Sequence, residues 1–251
     1  METDENWSRP RWKPNGGKPF LYLVAVGVTE VSSAVPAIEY RTRGLPDGIE
    51  ARSFVRGQPK RYLESFQEGY VWEQLVAEDF ELSRRVLEAP GAIVLAGETD
   101  DSDSLRYLRD VMGVMAWLAD HGAVAIHDPM TFRWWRPEQW KETFFVPDAP
   151  NPHRHVMILY SVERDGIWLH TRGLLAFGRP DLSIRGVASA DFDEVADLCN
   201  ELIERQAFGA VFREGQVVHD TVLGDFVIHH EGDRDDPEFN NAHVELLRQG
   251  S

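Results

Sequence analysis

The sequence contains few features that would indicate a cellular compartment or an association with membranes. Cys199 is the only cysteine among 251 residues, so neither an intramolecular disulfide nor a cysteine metal cluster can form, as is typical of a reducing compartment. No apolar run approaches the roughly 18 residues that would span a bilayer. The N-terminus is acidic and lacks the apolar core of a signal peptide. We therefore expect a cytoplasmic protein that does not associate with membranes.

Motifs that would name a reaction are also missing. The chain contains no Gly-x-Gly-x-x-Gly or Gly-x-x-x-x-Gly-Lys-Ser/Thr phosphate loop, no Gly-x-Ser-x-Gly nucleophile elbow and no His-Glu-x-x-His metal motif. Cys199 lies on the apolar stripe of a predicted helix, where a small buried side chain is more common than a reactive thiol. We therefore expect no cofactor and no tightly bound metal.

Basic residues are scarce relative to acidic ones. The 26 Lys and Arg against 42 Asp and Glu give a formal net charge of −16. Such a charge repels nucleic acid and anionic membranes and attracts a cationic surface, although it also simply keeps many proteins soluble. The composition argues against a nucleic-acid partner and leaves open a basic protein partner.

The length and composition predict a globular protein with two packed halves. The chain is 43% hydrophobic and 11% aromatic, enough to bury a substantial core. Prolines 147, 150 and 152 mark a boundary between the halves. We divide the sequence into a flexible arm at 1–18, an N-terminal α/β half at 19–146, a C-terminal α+β half at 153–231 and an acidic tail at 232–251. The predicted fold class is α+β: two packed α/β halves, each with a mixed or mainly antiparallel sheet covered by helices.

In the N-terminal half, strands are predicted at 20–26 and 92–96 and a weaker one at 37–43. Helical periodicity extends over 61–88 and again over 104–119, where the turn at 98–103 supplies acidic capping residues. A short helix is expected to begin at Pro137 and run to about Phe145.

In the C-terminal half, strands at 156–162 and 167–170 flank the hairpin signal Asp165-Gly166. A helix over 192–206 follows, and then a second hairpin that pairs 216–219 with 226–229. Residues 242–247 are expected to form a short terminal helix or a loose tail.

An aromatic and basic cluster runs from Phe132 to Trp140. Its members Arg133, Trp134, Trp135, Arg136 and Trp140 are residue types that are enriched where proteins bind partners. The same side chains would also serve to hold the short helix against the body. Both interpretations remain open, and we take these five residues as candidate binding residues.

The histidines form the other candidate group. His153 and His155 would point to one face of a strand, with His170 on the neighbouring strand and Arg172 beside it. Three imidazoles there could bind a divalent ion, or a hydrolase could use the same region. No compact ligand motif supports this alternative. We therefore retain His170 and Arg172 as candidate binding residues and assign no catalytic residue.

The stretch from His170 to Ile184 imposes the strongest local constraints. Gly173 and Gly178 mark tight turns, and Gly173 is predicted to have a φ that most residues avoid. Arg172 and Arg179 flank these turns, and Arg172 is predicted to be structural, satisfying an internal carboxylate or loop carbonyls.

The motif His-Thr-Arg-Gly-Leu, followed by Phe-Gly-Arg-Pro-Asp-Leu, resembles a signature of bacterial families known only as domains of unknown function. The likeness covers about a third of the chain. It implies a compact α+β cytoplasmic protein and transfers no catalytic residue. On the sequence alone, the expected function is non-enzymatic binding, with an immunity protein that neutralises a basic toxin domain as its specific form.

Overall fold

A computed structural model describes residues 4–30, 35–57, 62–236 and 238–249. The chain forms two compact units, each with one sheet. The first unit comprises residues 4–7, Phe20–Thr99 and Ser104–Pro150, and the second comprises Ser8–Pro19, Asp100–Asp103 and Asn151–Ser251. The α+β class is confirmed, with an antiparallel sheet in the first unit and a mixed sheet in the second.

The first sheet has the strand order β2-β3-β1-β4-β5. Its strands are β1 (Phe20–Val26), β2 (Ile49–Val55), β3 (Gly91–Glu98), β4 (Ala125–Asp128) and β5 (Arg133–Trp135). The predicted strands at β1 and β3 are confirmed, and they pair antiparallel with Val24 opposite Val94. Their continuous apolar sequence suits this central position, where both faces of a strand are covered.

Four α-helices belong to the described part of the first unit. They are α1 (Tyr70–Glu78), α2 (Phe80–Glu88), α3 (Arg106–Asp120) and α4 (Pro137–Trp140), the last followed by a π-helical turn at Lys141–Phe145. The predicted helix over 104–119 and the short helix from Pro137 are confirmed. On α3 the predicted stripe of Leu108, Met112 and Met115 is buried, but so is every other residue from Tyr107 to Leu118, so the helix is covered on all faces.

Two predictions in this unit are wrong. The single helix over 61–88 is divided at Asp79, whose backbone is not helical (φ −142°, ψ 76°) and whose carboxylate accepts the Leu82 backbone N–H at 3.0 Å as the N-cap of α2. Arg61, its predicted start, lies outside the described residues. The weak strand at 37–43 consists of turns instead, and the paired strand lies further along the chain at β2.

The second sheet has the strand order β6-β7-β8-β11-β10-β9. Its strands are β6 (Met157–Glu163), β7 (Gly166–Arg172), β8 (Asp181–Val187), β9 (Val217–Asp220), β10 (Gly224–Glu231) and β11 (His243–Arg248). Both predicted hairpins are confirmed. Helix α5 (Pro152–His155) precedes the sheet, and α6 (Phe192–Ala207), also as predicted, packs against β7 and β8.

Strand β11 corrects the prediction of a terminal helix or loose tail. It lies inside the sheet, parallel to β8 and antiparallel to β10. Val244 and Leu246 are buried. The acidic residues before the strand are typical of a solvated segment, so the local sequence does not indicate that a central strand follows.

The turn between β7 and β8 fulfils the two predictions made for it. Gly173 has φ 119° and ψ −9°, in the region that favours glycine. Arg172 is buried and its Nη1 donates a hydrogen bond to the carbonyl oxygen of Glu238. Arg172 is therefore a structural residue in this turn.

Three charged side chains join the separate chain segments of the second unit. Asp101 accepts hydrogen bonds from Arg9, from Arg179 at 3.3 Å and from the Trp12 indole at 3.0 Å. Arg9 and Arg179 are both buried. They also donate to backbone carbonyls at the C-terminal end of α6 and just after it, Arg9 to Ala207 at 2.9 Å and Arg179 to Ala210 at 3.0 Å. These contacts satisfy carbonyl groups that a helix end leaves unpaired.

The same contacts change two expectations. Residues 8–18, predicted to be part of a flexible arm, belong to the second unit, where the Gly17 backbone N–H donates to the Gly178 carbonyl at 3.1 Å. Asp101, expected to help cap α3, pairs with arginines instead, while the Ser104 hydroxyl accepts the Arg106 N–H at 3.1 Å. None of the described helices is long and apolar enough to cross a membrane.

Candidate functional site

The aromatic and basic cluster predicted from the sequence lies in the first unit, as edge strand β5 and the start of α4. The Trp134 ring stacks on His127 with centroids 4.1 Å apart, and Arg136 forms a two-pronged ion pair with Asp79 at 2.7 and 2.8 Å. Trp140 is buried. These side chains have internal partners, which favours the interpretation that they hold the unit together.

His127 shows how tightly this cluster is packed. Phe66 contacts the imidazole edge-on at 5.2 Å on one side and Trp134 stacks on it on another. Its Nδ1 lies 3.0 Å from the Arg133 carbonyl oxygen, the geometry of an N–H donor in the neutral imidazole. Burial lowers the pKa of His127 to about 4. The imidazole is therefore neutral near neutral pH and acts as a core side chain.

His170 and Arg172 lie in the second unit, on β7. The His170 ring stacks on Trp168 at 4.1 Å and contacts Phe239 edge-on at 5.6 Å. Burial, together with the nearby Arg172 charge, lowers the pKa of His170 to about 4. The Nδ1 atom is buried without a hydrogen-bond partner in the described structure. His170 is thus a neutral, half-buried member of an aromatic stack.

Charged side chains surround this stack on the same sheet. The Arg185 guanidinium lies 4.0 Å from the centroid of the Trp168 ring and pairs with Glu163 at 2.7 Å. The Trp168 indole donates to the Ser183 hydroxyl at 2.8 Å. Burial raises the pKa of Glu245, whose carboxylate accepts the Arg185 backbone N–H at 3.2 Å. These polar groups satisfy one another, as a stable packed face requires.

The alternative arrangement, with His153, His155 and His170 together on neighbouring strands, is not formed. His153 and His155 lie in helix α5 and not on a strand, so residues two apart point in different directions instead of to one face. Burial lowers the pKa of His155 to about 4, and its ring contacts Phe177 at 5.9 Å. Among the described residues, no group of three or more His, Cys, Asp or Glu is placed to hold a metal ion.

Two other buried reactive groups have structural surroundings. Burial raises the pKa of the Cys199 thiol to about 12, and this residue is a buried member of α6, as predicted. Burial also raises the pKa of Asp181 to about 6. The Asp181 carboxyl is held by the Thr171 hydroxyl at 2.9 Å and the Asn241 amide at 2.8 Å. Neither group is positioned as an exposed nucleophile or base.

A cavity of about 310 Å³ lies in the second unit where β8 and β11 diverge. Their paired register ends at Ser183 and Glu245. Polar and apolar groups both line the cavity, and two of its charged side chains, Arg248 and Asp191, pair with each other at 3.1 Å. The cavity therefore offers volume without a free polar group that would select a ligand.

An exposed apolar strand edge in the second unit was not predicted from the sequence. Strand β6 lies at one edge of the second sheet. Tyr160 is 63% exposed and Val162 is 79% exposed. The Tyr160 ring contacts Phe192, the first residue of α6, at 5.3 Å. The strand edge and the helix thus form one continuous surface.

The outer face of α6 is acidic. Its exposed carboxylates are Asp193, Glu194, Asp197, Glu201 and Glu204. The one basic residue of the helix, Arg205, pairs with Glu201. The acidic face of α6 therefore begins next to Tyr160, where the helix starts at Phe192.

Comparison of the chain with protein-family models, with curated proteins and with solved structures gave no match.

Proposed function

We propose that this chain is a binding protein that captures a basic protein partner along strand β6. The observation that carries the proposal is the exposed apolar edge at Tyr160 and Val162 beside the acidic face of α6. In its specific form, the partner is a basic toxin domain and the chain neutralises it as a bacterial immunity protein. The net charge of −16 supports a cationic partner.

The edge of β6 is suited to accept another strand. An edge strand presents unpaired backbone N–H and C=O groups, and proteins usually protect such edges with lysine, proline or a bulge. The sequence of β6, Met157–Glu163, contains neither lysine nor proline. Its pairing with β7 is regular along all seven residues. A partner segment can therefore extend the sheet by backbone hydrogen bonds.

The two faces of the strand specify what the added segment must look like. Ile158, Tyr160 and Val162 alternate onto the side where Tyr160 meets α6. A partner strand that places apolar side chains on this side would cover the exposed tyrosine and valine. Basic residues flanking that strand would lie near the carboxylates of α6, which would increase the association rate.

The test uses a labelled peptide that alternates valine with lysine, compared with a peptide in which glutamate replaces lysine. The lysine peptide should bind the full chain, measured by fluorescence anisotropy, and lose affinity as salt is added. Amide exchange in the backbone of β6 should slow when the peptide is bound. Binding of both peptides with equal affinity would contradict the charge complementarity proposed here.

A matched pair of variants identifies the surface. Val162→Lys adds a charge at the edge and should weaken binding of the lysine peptide by about tenfold, a loss of about 1.4 kcal/mol. Val222→Lys makes the same change at a valine that is 73% exposed in the β9–β10 turn and should leave binding unchanged. An equal effect of both variants would overturn the assignment. If the chain forms a dimer and Val162→Lys converts that dimer to a monomer, a second copy of the chain occupies the edge. This result would also contradict the proposal.

A further inference from the structure

The second unit contains a groove whose charge is opposite to that of the chain as a whole. The groove has a volume of about 750 Å³. Four basic side chains line it, together with Glu214 as the one acidic residue: Arg11, Lys13, Arg205 and Arg213. In a chain with 26 basic and 42 acidic residues, such a group of cations calls for a physical explanation, because like charges held close together repel.

Neutralising partners are few in this groove. In the part of the chain that the structure describes, the side chains of Arg11, Lys13 and Arg213 form no ion pair. The Glu214 carboxylate is engaged elsewhere, by His229 Nδ1 at 2.9 Å and the His230 backbone N–H at 2.7 Å. These hydrogen bonds lower the pKa of Glu214. They engage its carboxylate with His229 and His230 and not with the basic side chains that line the groove. Positive charge in the groove is therefore left for a ligand.

Buried anchors fix the basic residues on one side of the groove. Arg9 and Trp12, on either side of Arg11, both bond to Asp101. The Arg11 backbone N–H donates to the Phe208 carbonyl at 3.0 Å, directly after α6. The backbone that carries Arg11 is thus held in place, and binding a ligand there would not require this segment to become ordered.

The opposite side is held in the same manner. Phe212 is buried next to Arg213. The Arg213 backbone N–H donates to the Gln216 side-chain oxygen at 3.2 Å, and the Gly215 N–H donates to the Ile228 carbonyl of β10 at 2.9 Å. The loop therefore presents Arg213 from a fixed backbone while its guanidinium remains exposed.

We propose that this groove binds a small ligand carrying two or more phosphate groups. Guanidinium groups form paired, charge-assisted hydrogen bonds with phosphate oxygens, and a lysine ammonium adds a further positive charge. Several phosphates are expected because the unpaired cations come from separate segments on both sides of the groove. The site is independent of the proposed protein-binding function, since the groove is not lined by any residue of β6 or by the acidic residues of α6.

Inorganic triphosphate and ATP are the probes, each titrated calorimetrically into the full chain at low salt. Saturable binding with a Kd of about 1 mM or tighter is expected, with affinity falling as salt rises. Equal affinities would identify the phosphate chain as the recognised group, whereas tighter binding of ATP would add a contact to the nucleoside. The proposal fails if neither probe binds.

Variants connect the binding to the groove. The double variant R11A/R213A removes two exposed guanidinium groups and should weaken triphosphate binding at least about tenfold while the melting temperature stays unchanged. Arg164→Ala is the control, because Arg164 is an exposed arginine of the β6–β7 turn that does not line the groove. If the control loses as much affinity as the double variant, binding reflects general charge, and the assignment to this groove is wrong.

Discussion

At the scale of single residues, the Asp101 carboxylate of the second unit accepts hydrogen bonds from three side chains, those of Arg9, Trp12 and Arg179. It faces the buried guanidinium groups of Arg9 and Arg179. A buried cation without its counter-charge is costly, whereas the same change at the surface is not. The order of stability among aspartate variants of this turn can therefore be predicted from burial.

Asp101→Asn should lower the free energy of unfolding by about 3 kcal/mol or more, because two buried arginines lose their counter-charge. Asp100→Asn is the matched control. The Asp100 side chain is 92% exposed and, among the residues that the structure describes, pairs only with exposed Lys18, at 3.3 Å, so its loss should cost less than about 0.5 kcal/mol. Urea denaturation of both variants measures the difference. Equal stabilities would mean that the arginines find other partners.

Trp134 is the residue for which the sequence left two interpretations open. It stacks on His127 and packs beside the core of the first unit. Trp134→Ala should therefore lower the free energy of unfolding by about 2 kcal/mol or more. Tyr70→Ala removes an aromatic ring that is 77% exposed in the same unit, and should change stability by less than about 0.5 kcal/mol. A stable Trp134→Ala protein would restore the interpretation that this tryptophan serves a partner.

At the scale of elements, the sequence pattern correctly predicted the helices and strands that depend on residues close together in the chain. The apolar run of β1, the helical stripe of α3 and the Asp165-Gly166 hairpin all follow from side chains a few residues apart. The position of β11 does not, because its strand pairs with β8 more than fifty residues earlier. Its acidic surroundings are typical of a solvated segment, although the first four residues of the strand, Val244 and Leu246 among them, are buried.

A neighbouring pair of leucines tests this strand. Leu246 is buried, whereas Leu247 is 50% exposed on the opposite face. Leu246→Ala should lower the free energy of unfolding by about 2 to 4 kcal/mol, and Leu247→Ala by less than about 1 kcal/mol. Thermal or urea melts of the two variants decide the point. A loose tail would make both substitutions neutral.

The candidate surfaces could not be predicted from the sequence for a related reason, because contacts between distant parts of the chain create them. Residues Tyr160 and Val162 are ordinary strand residues by composition, and only the strand order places them at an edge. The groove likewise joins Arg11 with Arg213, two hundred positions apart. By contrast, the φ of Gly173 was predicted correctly because it depends on a tight turn encoded locally. The structural role of Arg172 was also predicted correctly, although its acceptor, the Glu238 carbonyl, lies 66 positions away and could not be named from the sequence.

At the scale of the whole molecule, buried ionisable groups set the response to pH. The pKa of His127 is lowered to about 4 from an ordinary value of 6.5, and that of His155 likewise. Their contribution to stability is fully present above pH 6.5 and is lost as the pH falls towards 4, because the unfolded chain binds these protons more readily. Asp181 acts in the opposite sense. Its pKa is raised from 3.8 to about 6, so its contribution grows as the pH falls through that interval.

His170, whose pKa is also lowered to about 4, adds to His127 and His155. The three histidines outweigh the carboxyls with raised pKa, Asp128, Asp181 and Glu245, so the melting temperature should fall between pH 6.5 and 4.5. His127→Gln removes one titrating group and should make this fall shallower, whatever its effect at pH 7. Asp181→Asn removes one of the opposing groups and should make the fall steeper. Melting curves at several pH values measure both slopes. Parallel curves for wild type and His127→Gln would show that His127 is already accessible to protons in the folded state.

The chain order of the second unit has a consequence for synthesis on the ribosome. Residues 8–19 and 100–103 are made early, yet their partners Arg179 and Ala207 come much later. The parallel pairing of β8 with β11 has to wait until residue 245 has emerged. Until then Arg9 and Asp101 remain in water and β8 lacks one neighbour, which exposes a strand edge. The second unit of the nascent chain can therefore be completed only after β11 has emerged. We expect the nascent chain to associate with holding chaperones for longer than a chain whose units are contiguous in sequence.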